Sequence, residues 1–164
     1  MKRTWQAILV AGLVAGVLDI TYASVSSLVR GSTPARMLRG IASGLLGRAA
    51  SDGGVPAALL GLACHFTIAM GAATVFVLAS RRLRVLAERP ILCGALYGLA
   101  VFYFMHLIVL PLSRIPWTVS LTPNYLASGF AAHIFCVGLP IAFVARRFAF
   151  APSAFTAARR NQAD

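Results

Sequence analysis

Residues 55–80 read VPAALLGLACHFTIAMGAATVFVLAS, a run without a single Asp, Glu, Lys or Arg. A helix needs about 20 predominantly apolar residues to cross the hydrocarbon core of a bilayer. This run is long enough, and only His65 within it can ionise near neutral pH. Three more stretches have the same character: Trp5–Val29, Pro90–Leu112 and Thr122–Ala145. Their glycines argue little against helix, because membrane helices tolerate Gly and Pro. The reading is an all-α polytopic membrane protein with four transmembrane helices.

Composition agrees. The chain has 164 residues, of which 59% are hydrophobic and 12% charged. Soluble domains average about 45–50% apolar and about 25% charged, so this surplus of apolar surface needs lipid. The length suits one domain, placed at residues 1–147. Residues 148–164 then form an arginine-rich tail, in which Phe148, Phe150 and Phe155 are placed to rest on the inner leaflet.

The net charge of +11 comes from 15 Lys and Arg against 4 acids. A basic balance can signal nucleic acid, but no basic face with interleaved aromatics occurs here, so none is expected. The cations sit between the apolar runs, where they face anionic lipid. Ten fall on one side: Lys2 and Arg3, then Arg81, Arg82, Arg84 and Arg89, then Arg146, Arg147, Arg159 and Arg160. The other side has five: Arg30, Arg36, Arg39, Arg48 and Arg114. The excess of positive charge marks the cytoplasmic side. This predicts a bacterial inner-membrane protein with both termini in the cytoplasm.

The first run has a rival reading. Lys2 and Arg3 precede an apolar stretch that ends at Tyr22-Ala23-Ser24, as in a cleavable leader. Asp19 interrupts that stretch where leaders are most apolar, so a retained span is expected. The first connection is not plain loop either. Ser32-Thr33-Pro34 reads as a helix cap with proline in the first turn. Met37, Leu38, Ile41, Leu45 and Leu46 recur at helical spacing among Arg36, Arg39 and Arg48. A short amphipathic helix is predicted at about residues 33–49, lying on the outer surface or dipping partway in. Ser51-Asp52-Gly53-Gly54 closes it with turn chemistry.

Local signatures repeat. Gly61-Leu-Ala-Cys-His65 parallels Gly129-Phe-Ala-Ala-His133, and Gly12 with Gly16 parallels Gly94 with Gly98. Two similar helix hairpins are the expectation, as in parallel-repeat transporters. The alternative is chance, because small residues are common in membrane helices. Gly12/Gly16 and Gly94/Gly98 are small-xxx-small pairs, placed to pack helices within the chain or to form a homodimer seam.

Four ionisable residues lie within the spans, one per helix: Asp19, His65, His106 and His133. Such residues are costly in hydrocarbon and mark function by default. At 1.5 Å per residue, Asp19 and His106 lie roughly 21–24 Å from the inner ends of their helices, and His65 and His133 roughly 15–17 Å from the outer ends of theirs. All four occupy one band, from the midplane to the outer third. Helical spacing puts Gly12, Asp19, Tyr22 and Ser26 on one face. Ala58, Gly61, His65, Ala69 and Ala72 form a small-residue stripe, and Gly129, His133, Cys136 and Pro140 align on the fourth run. Such stripes face other helices.

Four readings of this constellation stay open. The groups can be structural, hydrogen-bonding between helices. They can form a proton or ion site open to the outer face, with Tyr22 nearby. His65 and His133 can ligate a transition metal, with Asp19 or His106 completing the set, although no short ligand spacing supports this. They can flank a haem or a quinone. Cys64, Cys93 and Cys136 form no CxxC pair and lie in apolar runs, so neither a disulfide framework nor a thiolate zinc site is expected. No G-x-S-x-G, phosphate loop or paired-carboxylate pattern occurs, so an enzyme is not expected.

Leu60-Gly-Leu-Ala-Cys-His65, the run from Gly94-Ala-Leu-Tyr-Gly to His106 with Leu110-Pro111-Leu112 after it, and Gly129-Phe-Ala-Ala-His133 resemble the YagU-like family of uncharacterised bacterial inner-membrane proteins. The resemblance covers about residues 7–147. It implies a helical inner-membrane protein with one histidine on each of three helices, and no agreed activity. Asp19 and the short third connection depart from the family pattern. The functional expectation is a small transport-like or proton-responsive protein with an outward-facing Asp/His site. The alternative is an accessory or assembly subunit of a larger membrane complex.

Overall fold

The computed structural model describes residues 2–118 and 122–150, the side chain of Phe150 excepted. The chain runs through α1 (Lys2–Val29), α2 (Pro34–Leu46) with a 3-10 turn at Gly47–Ala50, α3 (Gly54–Arg82) and the short α4 (Val85–Glu88). Helix α5 joins the segments Pro90–Phe104, Met105–Val109 and Leu110–Leu112; α6 joins Pro123–Ala132, His133–Gly138 and Leu139–Phe150. Among the described residues there is no strand. Four helices, α1, α3, α5 and α6, are long and apolar enough to cross a membrane. The last helix continues to Phe150. The tail expected beyond it, including Phe155, Arg159 and Arg160, lies outside the described residues.

The spans are built inside out relative to a soluble helix. On α1, Ala7, Ala11, Gly12, Ala15 and Gly16 are buried, while Leu9, Leu13 and Val17 point outward, each about half exposed. Lipid is as apolar as leucine, so large side chains lose nothing by facing it. Small ones at the seam let backbones approach. Helices α1 and α3 pack as one hairpin and α5 and α6 as the other; α1 joins them by packing against α6. Phe76, Val77, Ile141, Ala142 and Ala145 close the core toward the helix ends that bear Lys2 and Arg81. There Tyr97 of α5 donates its hydroxyl to the Ala72 carbonyl of α3 at 2.7 Å and sets its ring on Phe76 at 4.9 Å.

The glycine pairs are used within the chain, and in corresponding ways. A Cβ on Gly16 would meet the Phe66 ring of α3 at 2.7 Å, and Gly12 lies against Met70. A Cβ on Gly98 would meet the His133 carbonyl carbon of α6 at 2.7 Å, and Gly94 lies against Gly138. In each hairpin the first helix turns its glycines to the second. The other shared positions differ. Gly129 makes room for the Phe102 ring, whereas Gly61 is covered by the backbone of α2, where a Cβ would meet the Leu38 carbonyl carbon at 2.8 Å. The small-residue stripe of α3 is therefore not one interior face: its α2-proximal part seats the connecting helix.

Helix α2 starts where expected. Thr33 caps it, its hydroxyl accepting from the Arg36 amide at 3.2 Å, with Pro34 in the first turn. It is held to both hairpins. Its Ala42 packs with Ala50 and Ala57, and its Gly44 carbonyl accepts from the Arg114 amide of the third connection at 2.9 Å. At this end of the bundle the first and third connections are thus tied together.

Candidate functional site

The α2 end of the bundle carries the ionisable residues. Counting 1.5 Å per residue, Asp19, His65 and His133 lie roughly 15–17 Å from the helix ends nearest α2, and His106 roughly 9 Å. They fall into two groups.

The first group is Asp19 on α1 with His65 on α3. His65 Nε2 lies 2.9 Å from the Gly16 carbonyl oxygen. A carbonyl only accepts, so Nε2 carries the proton and a neutral ring must leave Nδ1 bare. That bare nitrogen faces Asp19 Oδ2 at 3.9 Å. Gly16 makes this geometry reachable, because its missing side chain lets α3 come close enough for the histidine to hold an α1 carbonyl. The ring is further set edge-on to Phe66 at 5.4 Å. Both side chains are mostly enclosed, with 12% exposure for His65 and 24% for Asp19.

The second group surrounds Phe102 of α5, a buried ring that nothing in the sequence singles out. His106 stacks on it at 4.0 Å and His133 meets it edge-on at 5.2 Å. Both histidines donate Nδ1–H to the carbonyl one turn back: His106 to Phe102 at 2.8 Å, His133 to Gly129 at 2.9 Å. His106 Nε2 then accepts from the Tyr125 hydroxyl at 2.9 Å. Both ring nitrogens of His106 are therefore engaged, so it fits the structural reading. Tyr125 is a second residue that the sequence pattern does not reveal.

Each of these histidines sits in a π-helical turn, Met105–Val109 or His133–Gly138. Both turns have a visible cause. Pro111 and Pro140 lack an amide proton and crowd the carbonyl four residues earlier, at Leu107 and Cys136. Each of those carbonyls lies inside the π turn. Such bulges recur at functional sites. Here the Phe102 and Gly129 carbonyls accept both a backbone amide and a histidine ring N–H, and the backbone of α6 at His133 lies against Gly98.

The groups meet at α1. Asp19 lies within electrostatic reach of His133 and Cys136, and His133 of His106. Tyr22, one turn from Asp19, donates its hydroxyl to the Ser128 carbonyl of α6 at 3.3 Å. The residues marked by the sequence thus divide: Asp19 and His65 face each other at 3.9 Å and His133 keeps a ring nitrogen outside its bond to Gly129, while His106 and Tyr22 are tied into hydrogen bonds between or within helices.

The donor sets for the other two readings do not assemble. Among the described residues no three His, Cys, Asp or Glu side chains are grouped to hold a metal ion, so His65 and His133 gain no completing ligand from Asp19 or His106. The Phe102 ring packs against both His106 and His133, so this pair of histidines does not flank an open slot for a haem or quinone plane. Set against protein-family models, curated proteins and solved structures, the chain finds no match in any of the three.

Proposed function

We propose that this is a small, multi-pass bacterial inner-membrane protein of the transport-like or proton-responsive kind, both termini cytoplasmic, whose working element is the Asp19–His65 pair. The observation that supports this most is the orientation of His65. Its Nε2–H is committed to the Gly16 carbonyl, so its one remaining basic nitrogen is turned toward a carboxylate. Without a proton the pair holds an uncompensated negative charge inside the bundle, which is costly in a low-dielectric medium. With one proton the pair is neutral overall, whether the proton sits on Nδ1 or on the carboxyl. The two states differ by a whole charge at one point between α1 and α3, and His133 and the π turn of α6 feel that charge. Proton arrival from the outer face can thereby shift how α1 packs against α6.

The test uses full-length protein in liposomes with a trapped pH-sensitive dye, given an external acid step. Internal acidification or a change in tryptophan emission should follow in the native protein. Either response should disappear in Asp19→Asn and in His65→Ala, with helical content unchanged by circular dichroism. Native-like responses in both variants would end this reading. Co-purification of a stoichiometric partner in mild detergent, with no acid response, would favour an accessory subunit.

A further inference from the structure

At the opposite end of the bundle from the Asp/His site, the ends of α1, α3, α4 and α6 enclose an open cavity of about 890 Å³. Its rim carries Lys2, Arg3, Arg81 and Arg84, against one acid among the described residues, Glu88. Its floor is apolar, formed by Ala7, Val77 and Ala145, all buried in the bundle core. The Arg81 guanidinium donates to the Thr4 hydroxyl, which fixes the end of α3 against the start of α1 across the cavity.

This arrangement is more specific than a surplus of charge at a helix end. Lys2, Arg81 and Arg84 bring positive charge to one concavity from separate parts of the chain, so the concavity attracts an anion. Guanidinium groups favour phosphate, which they meet with two parallel hydrogen bonds. The volume lies in the range of small-molecule sites, about 300–1,000 Å³. An apolar floor beneath a cationic rim fits an amphiphile better than a free ion.

The level of the cavity indicates where that amphiphile comes from. Trp5, 61% exposed, sits one turn from Lys2, and aromatic rings of this kind settle at the headgroup level. Leu83 and Val85, also exposed, flank the α3–α4 turn at the same end. We infer that this cavity binds the phosphate of an anionic phospholipid, drawn in from the surrounding leaflet, and that it is a built site rather than a diffuse basic surface. Basic pockets between membrane helices bind lipid headgroups in this way.

The experiment is native mass spectrometry of the detergent-solubilised full chain titrated with phosphatidylglycerol, phosphatidylcholine or inorganic phosphate. The decisive comparison is between two double variants of equal charge. Arg81→Gln with Arg84→Gln removes two rim residues, whereas Arg82→Gln with Arg89→Gln removes two that do not line the cavity. The rim variant should lose phosphatidylglycerol affinity by about thirtyfold, and the control variant by only a few-fold. Equal losses in both would overturn the site. Equal retention of phosphatidylcholine, or full displacement of phosphatidylglycerol by millimolar inorganic phosphate, would overturn the assignment to an anionic lipid. If the rim variant fails to fold, Glu88→Gln supplies the test: removing the one opposing charge among the described residues of the rim should tighten phosphatidylglycerol binding, and unchanged or weaker binding overturns the proposal.

Discussion

Substituting Gly98 by alanine tests the packing that positions His133. The added Cβ would lie 2.7 Å from the His133 carbonyl carbon and 2.8 Å from Ile134 Cα. Carbon atoms in good contact are about 3.5–4.0 Å apart, so the overlap is about 1 Å. The obstacle is backbone on a π turn, which no rotamer change can move aside. Helices α5 and α6 must therefore part by about that distance at their crossing, where Gly94 and Gly138 are also in contact. A gap of this size forfeits a quarter to a half of the dispersion energy of the atoms it separates. Overpacking of this kind costs about 1–3 kcal/mol, and rigid backbone places it near the upper end. Gly71 on α3 is the internal control. Nothing lies within 4 Å of its Cβ position, so alanine there should be neutral or stabilising by up to about 1 kcal/mol through helix propensity. Unfolding of both variants in mixed micelles, followed by circular dichroism, measures the difference. Equal stability would refute the claim that α5 and α6 touch through Gly98.

Other substitutions separate the roles of individual contacts. Phe102→Ala should cost about 3–5 kcal/mol, because its ring is buried against His106, Phe130 and His133; the same unfolding assay reads it. Tyr97→Phe removes only the hydroxyl that reaches Ala72 and should cost about 0.6 kcal/mol, the average for a hydrogen bond between membrane helices. Tyr125→Phe frees His106 Nε2 and should perturb the His106 ring resonances in NMR, with the acid response of the protein left intact.

The spans were readable because runs such as 55–80 contain no charge, and the bilayer admits few other structures for them. Helix α2 was readable because Thr33 and Pro34 are a start signal that depends on neighbours in sequence alone. Asp19 and His65 could be placed at similar depth by counting residues, but depth does not say which atoms meet. That His65 holds the Gly16 carbonyl follows from how closely two helices approach, a property of the folded pair. Phe102 was hidden because an aromatic residue in an apolar run carries no mark of special use. The π turns left one trace: Pro111 and Pro140 each stand shortly after a histidine within a span. The basic rim was visible as charge, but its closure around a cavity depends on Lys2, Arg81 and Arg84 arriving from separate elements.

Difference infrared spectroscopy of an acid step reads whether one proton binds to the Asp19–His65 pair. The native protein should show either a carboxyl protonation band that is absent in Asp19→Asn and shifted in His65→Gln, or an imidazole protonation band that is absent in His65→Gln and shifted in Asp19→Asn. A spectrum unchanged by Asp19→Asn would show that the proton binds to other groups and not to this pair.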